Sequence, residues 1–289
     1  MKTTIVYKSV ENCNVKGDFH PTNKPNSPVI VYIHGGGLIW GSRTDIPEKQ
    51  IEYFNQAGFN VFTIDYRLAP ETKVNEIKKD IEDALKWLEE QGNEQFNIDK
   101  SKIAVMGSSA GGYLALLTGL LPRKPRAIVS LYGYGDITGD WYLKPSAYFL
   151  QKPKVPKDLA YKLLSSQPLS EGPIERRYAI YLYCRQQGAW LQEATGLNPY
   201  MQKNEIQSLC PFYQAGTDYP PTLLLHGDSD TDVPYEESVK MNEKLKENSV
   251  ESELITIKGG DHVFDEHWED PIVQKAFEDI VAFLKDKLA

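Results

Sequence analysis

Cysteine is scarce in this chain: Cys13, Cys184 and Cys210 are the only three in 289 residues, and no two form a CxxC or other metal-like spacing. A disulfide framework or a structural metal centre is therefore not expected, and the thiols read as small buried hydrophobes of a soluble, cytoplasmic protein. Long apolar runs are missing too. No stretch approaches the roughly 18 uninterrupted apolar residues of a membrane span, and the opening MKTTIVYKSVENCN lacks the apolar core of a secretory signal. Basic runs are absent as well. Lys and Arg number 32 against 40 Asp and Glu, a formal charge of −8, so a nucleic-acid backbone would be repelled and is not an expected partner. Nor is there an internal repeat, a low-complexity tract or a linker.

What is present is an ordinary globular composition, with 41% hydrophobic and 25% charged residues. Six short apolar runs end abruptly in Gly, Asp or Ser: PVIVYIHGGG (28–37), NVFTIDYR (60–67), KIAVMGSS (102–109), AIVSLYGYGD (127–136), PTLLLHGDSD (221–230) and SELITIKGGDH (252–262). They are rich in Val, Ile and Leu and mostly unbroken, as strands of a parallel sheet covered on both faces are. Helical segments separate them. VNEIKKDIEDALKWLEEQG (74–92) spaces Ile77, Ile81, Leu85 and Leu88 along one face, with Gly92 as a stop, and 236–249 and 269–288 have the same character. The alternation predicts an α/β fold around an open, mostly parallel sheet, with TTIVYKSV and CNVKGDFH as an antiparallel hairpin on one edge.

Residues 136–215 break this rhythm: they hold helical and loop pieces such as 175–196 but no convincing strand. About half of the aromatic residues lie between 132 and 219. Such an insertion reads as a lid, a binding surface or a structural annex. The expected organisation is a catalytic domain of 1–135 and 216–289 with 136–215 as an inserted helical cap. The cap aromatics, among them Trp141, Tyr148, Tyr181, Tyr183 and Trp190, are expected to form its own core rather than a substrate wall.

The stretch KIAVMGSSAGGY (102–113) runs a strand into Gly-x-Ser-x-Gly and then a helix, the pattern of a nucleophile elbow. Only hydrogen fits beside the strained central residue, so Gly107 and Gly111 single out Ser109, and Ser108 has the wrong flanks. The helix that follows aims its N-terminal amides at the same place. The serine needs a base. Of His20, His34, His226, His262 and His267, the favoured one is His262, in a Gly-rich loop after a strand; His267 lies in a polar approach to the last helix. An acid should come between serine and histidine at a strand end. HGDSDTDVP (226–234) offers Asp228, Asp230 and Asp232, with central Asp230 favoured. Upstream, the glycine run in YIHGGGLIWG (32–41) lets backbone amides approach a ligand and, with Ala110, bind an oxyanion.

With HGGG (34–37), DYRLAPE (65–71), GSSAGG (107–112), HGDSDTDVP (226–234) and GGDHVF (259–264), the chain resembles α/β-hydrolases of the carboxylesterase, hormone-sensitive-lipase-like type. The resemblance runs from about residue 28 to the C-terminus and leaves 136–215 unmatched. It implies the α/β-hydrolase fold, a triad of Ser109, Asp230 and His262, and an oxyanion hole of Gly36, Gly37 and Ala110. Tyr66 and Arg67 of YRLAP carry over as structural residues. The expected activity is hydrolysis of small to medium carboxylic esters through an acyl-enzyme, with no metal or organic cofactor. The alternatives are an amide-cleaving hydrolase of peptidase or arylformamidase type, or a ligand-binding protein on a hydrolase scaffold.

Overall fold

A computed structural model describes residues 2–289. Its eight strands are β1 (Thr3–Val10), β2 (Cys13–His20), β3 (Ser27–Ile33), β4 (Asn60–Ile64), β5 (Ile98–Ser108), β6 (Ala127–Leu131), β7 (Thr222–Gly227) and β8 (Ser252–Ile257). They form one sheet in the order β1-β2-β4-β3-β5-β6-β7-β8. β1 pairs antiparallel with β2 and β2 with β4, and every later pairing is parallel. This is the α/β-hydrolase architecture that the sequence predicts, with the hairpin at its edge.

The helices of six residues or more are α1 (Glu48–Ala57), α2 (Val74–Trp87), α3 (Ala110–Thr118), α4 (Ile174–Gln187), α5 (Trp190–Thr195), α6 (Tyr235–Glu247) and α7 (Pro271–Lys287). Successive strand residues point to opposite faces, and the core divides accordingly. Val29, Val31, Ile33, Val105, Ile128 and Leu224 pack on one side with α2 and α3. Ile30, Tyr32, Met106, Val129, Leu223 and Leu225 pack on the other with Phe54 of α1 and Phe277, Ile280 and Leu284 of α7. Every residue of β4, β6 and β7 is buried, which is why those runs are mostly apolar rather than alternating.

Helix α2 buries Ile77, Ile81 and Leu85 as their spacing predicts. Its regular turns give way at Trp87 to one wider helical turn, Leu88–Gly92, but Gly92 is not the stop: it stays helical at φ −63°, and the chain leaves the helix only after Phe96, at Asn97 with φ 51°. Residues 136–215 contain α4, α5 and several shorter helices, and among the described residues no strand, only an isolated backbone bridge between Gly172 and Gly41.

Topology locates the site. From β3 the chain moves to β4 on one side, then crosses back to β5 on the other. The loops leaving β3 and β5 diverge there and open a crevice at the C-terminal ends of the parallel strands. A buried ion pair follows β4: Arg67 sends Nε and Nη2 to Asp80 of α2 at 2.7–3.1 Å, and its amide meets Asp80 Oδ2 at 3.0 Å. Lys8 Nζ reaches the same carboxylate at 2.7 Å. Removing one partner strands the other charge. Asp80→Ala is therefore expected to destabilise the protein by about 3–5 kcal/mol, read as a lower urea midpoint at unchanged slope.

Candidate active site

β5 passes into α3 through a single residue, Ser109, with φ 55° and ψ −120°. A β-carbon carrier reaches such backbone only under strain, and close packing enforces it here. A Cβ on Gly107 would lie 2.2 Å from the Gly111 carbonyl oxygen, and one on Gly111 would lie 2.1 Å from that of Ile33. Both positions must be glycine, which is the argument that separates Ser109 from Ser108. The Ser109 amide donates to Leu131 O at 2.9 Å. Ser108 is buried beside Tyr32, with its Oγ 3.0 Å from the Tyr32 hydroxyl.

The ends of β7 and β8 bring the other two residues to the elbow. His262 Nε2 lies 3.1 Å from Ser109 Oγ, and His262 Nδ1 lies 2.7 Å from Asp230 Oδ2. The Asp230 side chain is fully buried. Its Oδ1 accepts the amides of Asp232 at 2.8 Å and Val233 at 2.9 Å. The other candidate acids have other partners. Asp228 binds Lys258 Nζ at 2.6 Å and the Gly259 amide at 2.7 Å. Asp232 accepts from Tyr181 at 2.7 Å and pairs with Arg185. His267 is exposed, and His34 is stacked on Tyr66 at 4.3 Å, its pKa held down to about 4 by burial.

Electrostatics favour charge separation across the pair. Burial pushes the Asp230 carboxyl up, but contacts with His226 and His262 outweigh it and hold it well below the usual carboxylate range. Burial likewise pushes His262 down, yet the Asp230 hydrogen bond and the charges of Asp232, Asp230 and Asp265 leave it above an ordinary imidazole.

The loop after β3 carries Gly36 at φ 87° and Gly37 at φ 60°. The Ile39 and Trp40 amides donate to Gly36 O at 2.8 and 3.0 Å and close its turn. The Gly36 and Gly37 amides are not taken up by any acceptor among the described residues. The Tyr66 hydroxyl steadies the loop by donating to His34 O at 3.1 Å and Gly35 O at 2.9 Å. Three residues of the 136–215 stretch add anchors that sequence reasoning did not find. Trp190 Nε1 donates to Gly37 O at 2.8 Å. Buried Arg177 donates to Ile39 O and to Ala69 O, and clasps Glu71. Arg185 holds Asp232, two residues after Asp230. Trp190 is thus fully buried and stacked on Tyr142 at 3.9 Å, a packing residue. Tyr181, by contrast, belongs to the wall of the cavity over Ser109.

That cavity measures about 330 Å³ and is bounded by Ser109, His262, Gly36, Gly37, Trp40 and Tyr181. Asp45, Asp232, Asp265 and Glu266 also border it. Among the described residues no cluster of His, Cys, Asp and Glu has the arrangement of a metal site, and no helix is long and apolar enough to cross a membrane.

This sheet, elbow and crevice define the class, and the chain belongs to the alpha/beta hydrolase fold family, whose sequence profile matches residues 30–266. An alpha/beta hydrolase superfamily protein from Enterococcus faecalis superposes with a TM-score of 0.78 at 26% identity, over 99% of each chain. A thermophilic esterase from Thermogutta terrifontis, solved with propionate bound, shares the fold with a TM-score of 0.71 at 23% identity, over 98% of this chain and 93% of that one. Among curated proteins, the non-reducing polyketide synthase pkbA of Emericella nidulans is 27% identical over 99% of this chain, which spans 14% of the synthase.

The close packing at the elbow has a direct test. Gly111→Ala drives a methyl into the Ile33 carbonyl, and overpacking of this kind costs about 1–3 kcal/mol. A matching drop in the unfolding midpoint is expected, whereas a neutral Gly111→Ala would mean the elbow is looser than described.

Proposed function

We propose that this chain is a serine hydrolase cleaving carboxylic esters of small to medium size through an acyl-enzyme. The observation that carries the reading is the continuous relay from Ser109 Oγ to His262 (3.1 Å) to Asp230 (2.7 Å) on a strained elbow. His262 Nε2 takes the Ser109 proton as Oγ attacks the ester carbonyl. Asp230 accepts from Nδ1, fixes the tautomer and stabilises the imidazolium. The developing oxyanion is received by the amides of Gly36, Gly37 and Ala110, which need no reorganisation because the loop is already anchored. His262 returns the proton to the departing alcohol, then activates the water that releases the acid. Residues 136–215 act as a cap that pins the oxyanion and acid loops through α4 and α5.

The cavity, about 330 Å³, is at the low end for ligand sites, which favours short acyl groups. Propionate and butyrate are bound in two of the Thermogutta terrifontis esterase structures. A second reading, thioester cleavage, draws support from the polyketide synthase relatives, because polyketide chains are assembled as thioesters. The same triad serves both, as it would an amide.

Turnover of p-nitrophenyl acetate, butyrate and octanoate is the primary test, with acyl N-acetylcysteamine thioesters and p-nitroanilides in parallel. Ser109→Ala is expected to lower kcat by about 10⁴-fold or more, with Ser108→Ala within about tenfold of wild type and octanoate the poorest ester. A wild type inert on all substrates and unlabelled by an active-site phosphonate would favour a binding protein.

The pH profile is a separate check. His262 acts as base only when neutral, and its carboxylate neighbours stabilise the charged form. The acid limb of kcat/KM is therefore expected above the ordinary imidazole value of 6.5, activity falling as pH drops through it. A limb below that value would contradict the assignment.

A further inference from the structure

One buried histidine has no part in the relay yet touches it. His226, in β7, is fully buried. Its Nε2 lies 3.2 Å from Asp230 Oδ2, the oxygen that also receives His262. The same nitrogen is 3.1 Å from Val233 O, and Nδ1 is 2.7 Å from Ser238 Oγ on α6. Nε2 faces two acceptors and so carries the ring hydrogen. Val233 closes the circle, since its amide donates to Asp230 Oδ1 at 2.9 Å. One ring thereby grips the carbonyl of Val233 while its edge faces the far oxygen of the carboxylate that Val233 also holds.

We propose that His226 is a positioning residue: anchored by Ser238, it locks the turn from Asp230 to Val233 and shares the charge of Asp230 Oδ2 with His262. The inference rests on the hydrolase reading above. A purely packing role would require only that the ring be filled and satisfied. The geometry does more, because a second N–H edge on the shared oxygen withdraws carboxylate charge from His262. Without it the imidazolium would be favoured further and the base would be neutral only at higher pH. The groups facing His226 are Asp230 and Val233 from its loop and Tyr235 and Ser238 from α6, with Tyr235 ring edge-on at 5.8 Å. The other charges acting on His262, Asp232 and Asp265, keep their partners Arg185, Tyr132 and Gln50 when His226 is replaced. His226 does not border the substrate cavity, so substrate affinity should not depend on it.

The test uses the full chain and three variants: His226→Phe, which fills the site without a donor; His226→Gln, whose amide can donate from the Nε2 position; and Ser238→Ala, which releases Nδ1. Steady-state kinetics across pH are read beside thermal unfolding, on whichever ester or thioester the wild type turns over. His226→Phe is expected to lower kcat roughly 10- to 100-fold, with KM within about twofold and the acid limb moved to higher pH. His226→Gln should recover most of kcat and return the limb. Ser238→Ala should move the limb in the same direction by less. A folded His226→Phe with wild-type kcat and limb overturns the proposal. So does a loss of kcat with an unmoved limb and no recovery in His226→Gln, which would make the ring a packing residue. Should His226→Phe fail to fold, Ser238→Ala and His226→Gln decide: an unmoved limb in soluble Ser238→Ala is then the overturning result. A wild type that is inert and unlabelled brings down the hydrolase reading itself, and this inference with it.

Discussion

Everything at the site depends on how abruptly β5 becomes α3. One residue, Ser109, absorbs the whole change of direction, and it can hold φ 55° only because the backbones of Gly107, Gly111 and Ile33 approach too closely to admit a side chain. That contact welds the elbow to β3, and the same strand launches the glycine loop. The serine and the loop therefore share one foundation, and their separation is set by backbone packing rather than by flexible side chains. Strain of this kind persists only where the surroundings over-determine it. The buried strands β3, β5 and β6 supply that over-determination.

Around the elbow, the moving parts of an ordinary loop have been tied off one by one. Tyr66 holds the carbonyls of His34 and Gly35, Trp190 holds that of Gly37, and Arg177 holds that of Ile39. On the opposite rim Arg185 and Tyr181 hold Asp232. Three of these five anchors are buried or nearly buried charged or amphipathic side chains from α4, and one is from α5. The 136–215 stretch is thus built into the walls of the site. A freely swinging flap would have to break the buried Arg177–Glu71 pair and the Trp190 hydrogen bond to Gly37 O.

The fold was legible in the sequence where the physics is local. Runs such as VFTI and AIVSL read as doubly covered strands because both faces are buried, and the Ile77, Ile81, Leu85 spacing reads as a helix because one face is. The spacing of Gly107 and Gly111 likewise encodes a steric requirement within five residues, and the placement of His262 and Asp230 follows from strand ends. The tertiary anchors were not legible. Arg177 meets Ile39, Trp190 meets Gly37 and Arg185 meets Asp232 across 138, 153 and 47 residues of chain, and no periodicity carries such pairings. Nor does the sequence single out His226: it ends an apolar strand just ahead of Gly227, and its contact with Asp230 Oδ2 appears only once the following loop doubles back over it.

The carboxyl groups around the cavity have a bearing on what leaves it. An ester enters uncharged at the reacting centre, but hydrolysis turns its acyl half into an anion in a cavity bordered by Asp45, Asp265, Glu266 and the Arg185-paired Asp232. Two like charges about 4 Å apart repel by roughly 1–4 kcal/mol at dielectrics between water and a protein surface. On the proposed chemistry, the site becomes hostile to its own acid product at the moment that product forms. Emptying the cavity would then be helped by Asp232 and Asp265, two of the residues whose charges also raise His262, and an accumulating acid would compete poorly with fresh ester.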